Sequence, residues 1–107
     1  MTEFLQVSTT TSTRDDAQAL AALLLESRMV ACAQILGPIT SRYWWKGMLE
    51  METEWQCLLK ASRSLYPLVE TQILSHHPYQ TPEIIAVPIV DGSREYLSWI
   101  HQQLSAD

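Results

Sequence analysis

The residues best equipped for chemistry stand together in Ser75-His76-His77-Pro78-Tyr79-Gln80-Thr81-Pro82-Glu83, which holds two of the three histidines and two of the five prolines. Imidazole suits Cu²⁺, Zn²⁺ and Ni²⁺, and Glu83 or a thiol from another chain could complete a shell around such an ion. Neighbouring helical side chains diverge by about 100°, so His76 and His77 share one ion only if the helix unwinds at Pro78. Read as structure alone, one imidazole caps the carboxyl end of a helix, where the dipole favours a cation, and the other donates to a carboxylate. No His-x3-His or Cys-x2-Cys spacing accompanies the pair. Metal ligation and helix capping both stay open on these residues. His77 with Glu83 could act as a general-base pair, but no nucleophile stands beside a base, so the expectation is a protein that is not an enzyme.

Two prolines make this stretch stiff. Pro78 removes a donor and restricts His77, and Pro82 pushes Thr81 into an extended conformation. The segment therefore reads as a rigid helix-to-strand connection that holds imidazoles, a phenol and a carboxylate in a fixed relation.

The elements that must position it follow in order. Phe4 to Thr10 is apolar and β-branched, a strand. Ser12 with Asp15, or Thr13 with Asp16, resembles a capping box. The hydroxyl-rich run Ser8 to Thr13 is better read as a strand end and N-cap than as an anion site, because Asp15 and Asp16 occupy the first turn. Arg14 to Met29 is a helix with Ala17, Leu20, Ala21 and Leu24 on one face. Val30 to Trp45 is extended and broken near Gly37-Pro38. Met48 to Ala61 carries the cleanest alternation in the chain, with Leu49, Met51, Trp55, Cys57 and Leu59 against Glu50, Glu52, Glu54 and Lys60, a strand with one dry face. Matching dry faces asks for a three-residue loop, Lys46-Gly47-Met48, with Gly47 left-handed. Trp45 then opposes Leu49, and Cys57 lies near Gly37. Cys32 would be five rungs from Cys57, ~17 Å and beyond disulfide reach.

Ser64 to His77 is a second helix with Pro67 in its first turn. Glu83 to Val90 is a strand whose Pro88 argues for an edge or a bulge and against a central position. Asp91-Gly92-Ser93 is a turn, and Arg94 to Leu104 a last helix. Strand, helix, strand, strand, helix, strand, helix predicts an α+β fold: a ferredoxin-like βαββαβ antiparallel sheet with a long second-to-third-strand hairpin and an extra C-terminal helix. Trp44 and Trp45 must point to opposite faces of that hairpin. A body of this size cannot cover both, which predicts a homo-oligomer.

The 107 residues favour one domain, 1–107, and the net charge of -5 comes without a basic cluster. That argues against nucleic-acid and anionic-membrane partners. No basic leader region is visible and no apolar run approaches the roughly 20 residues of a membrane span. Cys32 and Cys57 read first as small buried hydrophobes, which suits a reducing, cytoplasmic setting.

Taken together, Tyr43-Trp44-Trp45-Lys46-Gly47, the acidic strand through Glu54, Leu59-Lys60, the His76 to Glu83 stretch, Ala31-Cys32-Ala33 and Tyr96-Leu97-Ser98-Trp99 resemble the CutA divalent-cation-tolerance family over nearly the whole chain. The resemblance implies a PII-like homotrimer whose long hairpins pack between subunits. It also implies a tie to copper and divalent-metal tolerance, with His76 and His77 among the Cu²⁺ ligands. A cysteine that such members use at the end of the first strand is replaced here by Thr9. Trp45, Lys60, Tyr79 and Glu83 are expected to line an inter-subunit cleft, with Lys60 and Glu83 as an ion pair. A different reading is a PII-like sensor or adaptor that takes a small anion or a protein partner in those clefts; the lack of a Gly-rich phosphate loop counts against a nucleotide.

Overall fold

The computed structural model describes residues 3–105, in which every strand pair is antiparallel. The elements are β1 (Phe4–Thr11), α1 (Arg14–Glu26), β2 (Cys32–Trp45), β3 (Met48–Ser62), α2 (Tyr66–His76), β4 (Ile85–Pro88) and α3 (Arg94–Gln103). The four strands form one sheet in the order β2-β3-β1-β4. The class is therefore α+β, as the pattern predicts, and β4, shorter than the expected Glu83 to Val90, takes an edge, one of the two places Pro88 allowed. Among the described residues no helix is long and apolar enough to cross a membrane.

Alternation sorts the side chains into two faces. Leu5, Val7, Cys57, Leu59 and Ala61 lie under Ala17, Ala21 and Leu24 of α1 and Val69 and Ile73 of α2, in one buried cluster. Each fully buried aliphatic side chain contributes about 1.5–3 kcal/mol. The opposite face carries Cys32 and Lys60, a directly opposed pair. Its end is approached by α3, where Tyr96 Oη lies 3.9 Å from Cys32 Sγ.

Helix boundaries differ from expectation for local reasons. Thr13 Oγ1 accepts the Asp16 N–H at 3.1 Å, so the second of the two predicted caps is the one used. Helix α1 stops at Glu26 instead of Met29. The Arg28 N–H donates to the Leu25 carbonyl at 3.0 Å and the Met29 N–H to Leu24 at 3.1 Å. That is a Schellman closure with Arg28 left-handed at φ 57. Arg28 bears this because Nη1 reaches the Gln103 carbonyl at 3.1 Å and its own carbonyl accepts the Ser105 N–H at 2.9 Å. No glycine advertised the stop.

The hairpin turn is also tighter than expected. Trp45 pairs with Met48 and Trp44 with Leu49, so the loop is the two residues Lys46-Gly47, both left-handed at φ 50 and φ 79. Such a turn matches the strand twist. A register break between Leu36 and Ile39 then changes the facing of the whole arm. On the body side of the break Ile35 opposes Cys57, so Cys32 lies three rungs from Cys57, not five. The two cysteines leave opposite faces of the sheet and both are free thiols. Beyond the break Tyr43 opposes Glu50, Ser41 opposes Glu52 and Ile39 opposes Glu54.

Gly37 sits in that break because the Trp55 ring occupies the space of a side chain. A Cβ there would lie 2.6 Å from Trp55 Cδ2. The Arg14 guanidinium carbon also lies over the Trp55 ring, 5.9 Å from its centroid. Gly37→Ala should therefore destabilise the chain by about 1–3 kcal/mol through overpacking. Chemical denaturation checks this; a midpoint equal to that of the native chain would show that the ring moves freely.

Candidate functional site

Helix α2 ends on the histidine pair, and its last turn separates their roles. His76 is exposed; its Nδ1 lies 3.0 Å from the Gln72 carbonyl. A carbonyl only accepts, so that nitrogen carries the proton and Nε2 keeps a free lone pair. His76 borders a small hollow of about 250 Å³ between α1 and α2, together with Asp16, Leu20 and Pro78.

His77, the C-cap residue, is extended at φ -75, ψ 136 and its side chain turns inward. Its Nε2 lies 2.7 Å from the Thr10 carbonyl at the end of β1. Its Nδ1 accepts the Tyr79 N–H at 3.1 Å. Because Nδ1 accepts, Nε2 is the donor, which fixes the tautomer. Both nitrogens are spent on the backbone. The Tyr79 ring packs 4.7 Å from the imidazole, tilted by 60°.

Tyr79 then reaches the arm. Its Oη donates to Glu54 Oε2 at 2.7 Å. Burial, and next the hydrogen bond to Glu54, push the phenol far above its ordinary range. Glu54 is only 6% exposed, although it stands on the face of β3 that alternation marks as wet. Around this contact opens a cleft of about 790 Å³ between the arm and residues 79–83, walled by Tyr43, Trp45, Glu52, Glu54, Tyr79 and Glu83, with Arg42 at its border. Partial desolvation, then Glu52, Glu54 and Glu50, raise the Tyr43 phenol as well.

Of the residues singled out from sequence, Trp45, Tyr79 and Glu83 meet in this cleft. Lys60 does not join them within the chain: it stands beside Cys32 at the far end of β3 and donates to Gln34 Oε1 at 3.1 Å. Glu83 makes no ion pair among the described residues, where Arg63–Glu3 is the one present. His76 faces the other hollow. Thr9 is fully buried on the helix-covered face opposite Cys57, and its Oγ1 has no hydrogen-bond partner among the described residues. Burial pushes the Cys57 thiol up to about 11, which marks an inert packing group.

As a joint chelate for Cu²⁺ the histidine pair does not fit this geometry, since an ion at His77 would have to displace either the Thr10 carbonyl or the Tyr79 N–H. Among the described residues no three His, Cys, Asp or Glu side chains converge on one point. Of the pair, His76 Nε2 is the nitrogen left without a partner among the described residues. Glu52, Glu54 and Tyr43 are the cleft residues that sequence reasoning missed. Periodicity hides them, because only the register break and the reach of Tyr79 reveal that this part of the wet face is covered.

Comparison with known proteins places these features in a family. A family model described as CutA1 divalent ion tolerance protein matches residues 5–103. The divalent-cation tolerance protein CutA of Yersinia pestis (strain Pestoides F) is 44% identical over 88 residues, covering 82% of this chain and 74% of that one. The crystal structure of the divalent ion tolerance protein CutA1 from Ehrlichia chaffeensis superposes with a TM-score of 0.93 at 31% identity, covering 99% of both chains. A structure from Archaeoglobus fulgidus, described as a periplasmic divalent cation tolerance protein CutA, gives 0.90 at 33% identity, covering 98% of this chain and 100% of that one.

Tyr79→Phe leaves the Glu54 carboxylate covered without its donor, and should cost about 1–3 kcal/mol at neutral pH. A raised phenol contributes stability that is whole below its ordinary pKa of about 10 and is lost as pH rises beyond it. The variant should therefore show a shallower alkaline loss than the native chain. Urea unfolding at neutral and alkaline pH reads both; equal stability at neutral pH would remove the Tyr79–Glu54 contact from the account.

Proposed function

The chain belongs to the CutA1 divalent ion tolerance family, and from that premise we propose that it acts in divalent-cation tolerance as a homotrimeric binding protein and not as an enzyme. The strand order β2-β3-β1-β4, with α1 and α2 on one face, supports the ferredoxin-like, PII-like arrangement that the resemblance implies. The arm supports assembly. Trp44 is 72% exposed and Met51 67%, on one face, while Trp45 on the other is 38% exposed. Contiguous apolar surface of this kind calls for a partner, and sister copies are the economical source.

The observation that carries the cation reading is the division of labour within the histidine pair. His76 keeps Nε2 open, and both it and Asp16 line the hollow between the helices. His77 is committed to the backbone. We assign Cu²⁺, or another divalent cation that imidazole favours, to His76 rather than to the pair. Two free thiols on opposite sheet faces suit a reducing, cytoplasmic compartment; the periplasmic description belongs to the archaeal relative.

A second reading, a PII-like sensor or adaptor, is favoured by the cleft itself, which at about 790 Å³ is large enough for a small molecule or a partner's side chains.

Calorimetric titration with Cu²⁺ and Zn²⁺ tests the assignment. His76→Ala should weaken binding by more than about tenfold, while folded His77→Ala keeps it. Unchanged heat in His76→Ala removes the cation from this site. Sedimentation should give three chain masses, and a clean monomer at micromolar concentration contradicts the assembly.

A further inference from the structure

We draw no further inference here: the strongest candidate, the exposed apolar patch of Ile85, Val87 and Val90 at and just beyond β4 on the open edge of the sheet, carries nothing because nothing in the structure shows what covers it.

Discussion

Everything at the functional end of the molecule depends on one imidazole. His77 closes α2, donates to the carbonyl of Thr10 at the end of β1, and accepts the amide of Tyr79. A single ring thus fixes a helix end, a strand end and the start of the 79–83 segment. Tyr79 extends the tie to Glu54 on β3. Hydrogen bonds made in low dielectric reinforce one another and penalise any member left unpaired. That network ties the 79–83 wall of the cleft to the ends of α2 and β1 and to β3. The same commitment gives both His77 ring nitrogens backbone partners and leaves its neighbour exposed to solvent. Adjacent and identical in type, the two histidines end in different roles because the helix stops between them.

The second constraint lies in the arm. Near the body, β2 and β3 oppose residues of like parity; beyond Gly37-Pro38 they do not. One extra residue in a strand flips every side chain that follows it. Without the break, Tyr43 would share a face with Leu49 and Met51. With it, the acidic row of β3 meets the aromatic row of β2, and the apolar row is left to Trp44, Leu49 and Met51. A chain so small exposes that row unless other copies cover it. The break therefore serves two ends: it composes the cleft on one side and presents the apolar surface on the other.

Much of this was legible in the residues. The clean alternation from Met48 announced β3, Pro88 announced an edge or a bulge, Thr13 with Asp16 announced the start of α1, and the His76 to Glu83 stretch announced the site. What escaped has physical causes. The Schellman stop at Arg28 lacks glycine because tertiary bonds to Gln103 hold the left-handed residue. The hairpin turn is one residue shorter than matching dry faces asks, because the break at Gly37-Pro38 shifts the phase by one. Glu54 passed for a solvated glutamate, because its cover comes from a tyrosine 25 residues away in sequence. Lys60 was expected near Glu83, yet within the chain it stands at the other end of β3. Local pattern reports the element; only the register reports which neighbours a side chain meets.

The central claim, that His77 is a backbone strut and not a ligand, is tested most directly by long-range proton–nitrogen NMR correlation of its ring. The account predicts a protonated Nε2 and an unprotonated, hydrogen-bonded Nδ1, with both signals unmoved when Zn²⁺ is added. A proton on Nδ1 in the folded chain, or a Zn²⁺-dependent shift of either His77 nitrogen, would contradict it.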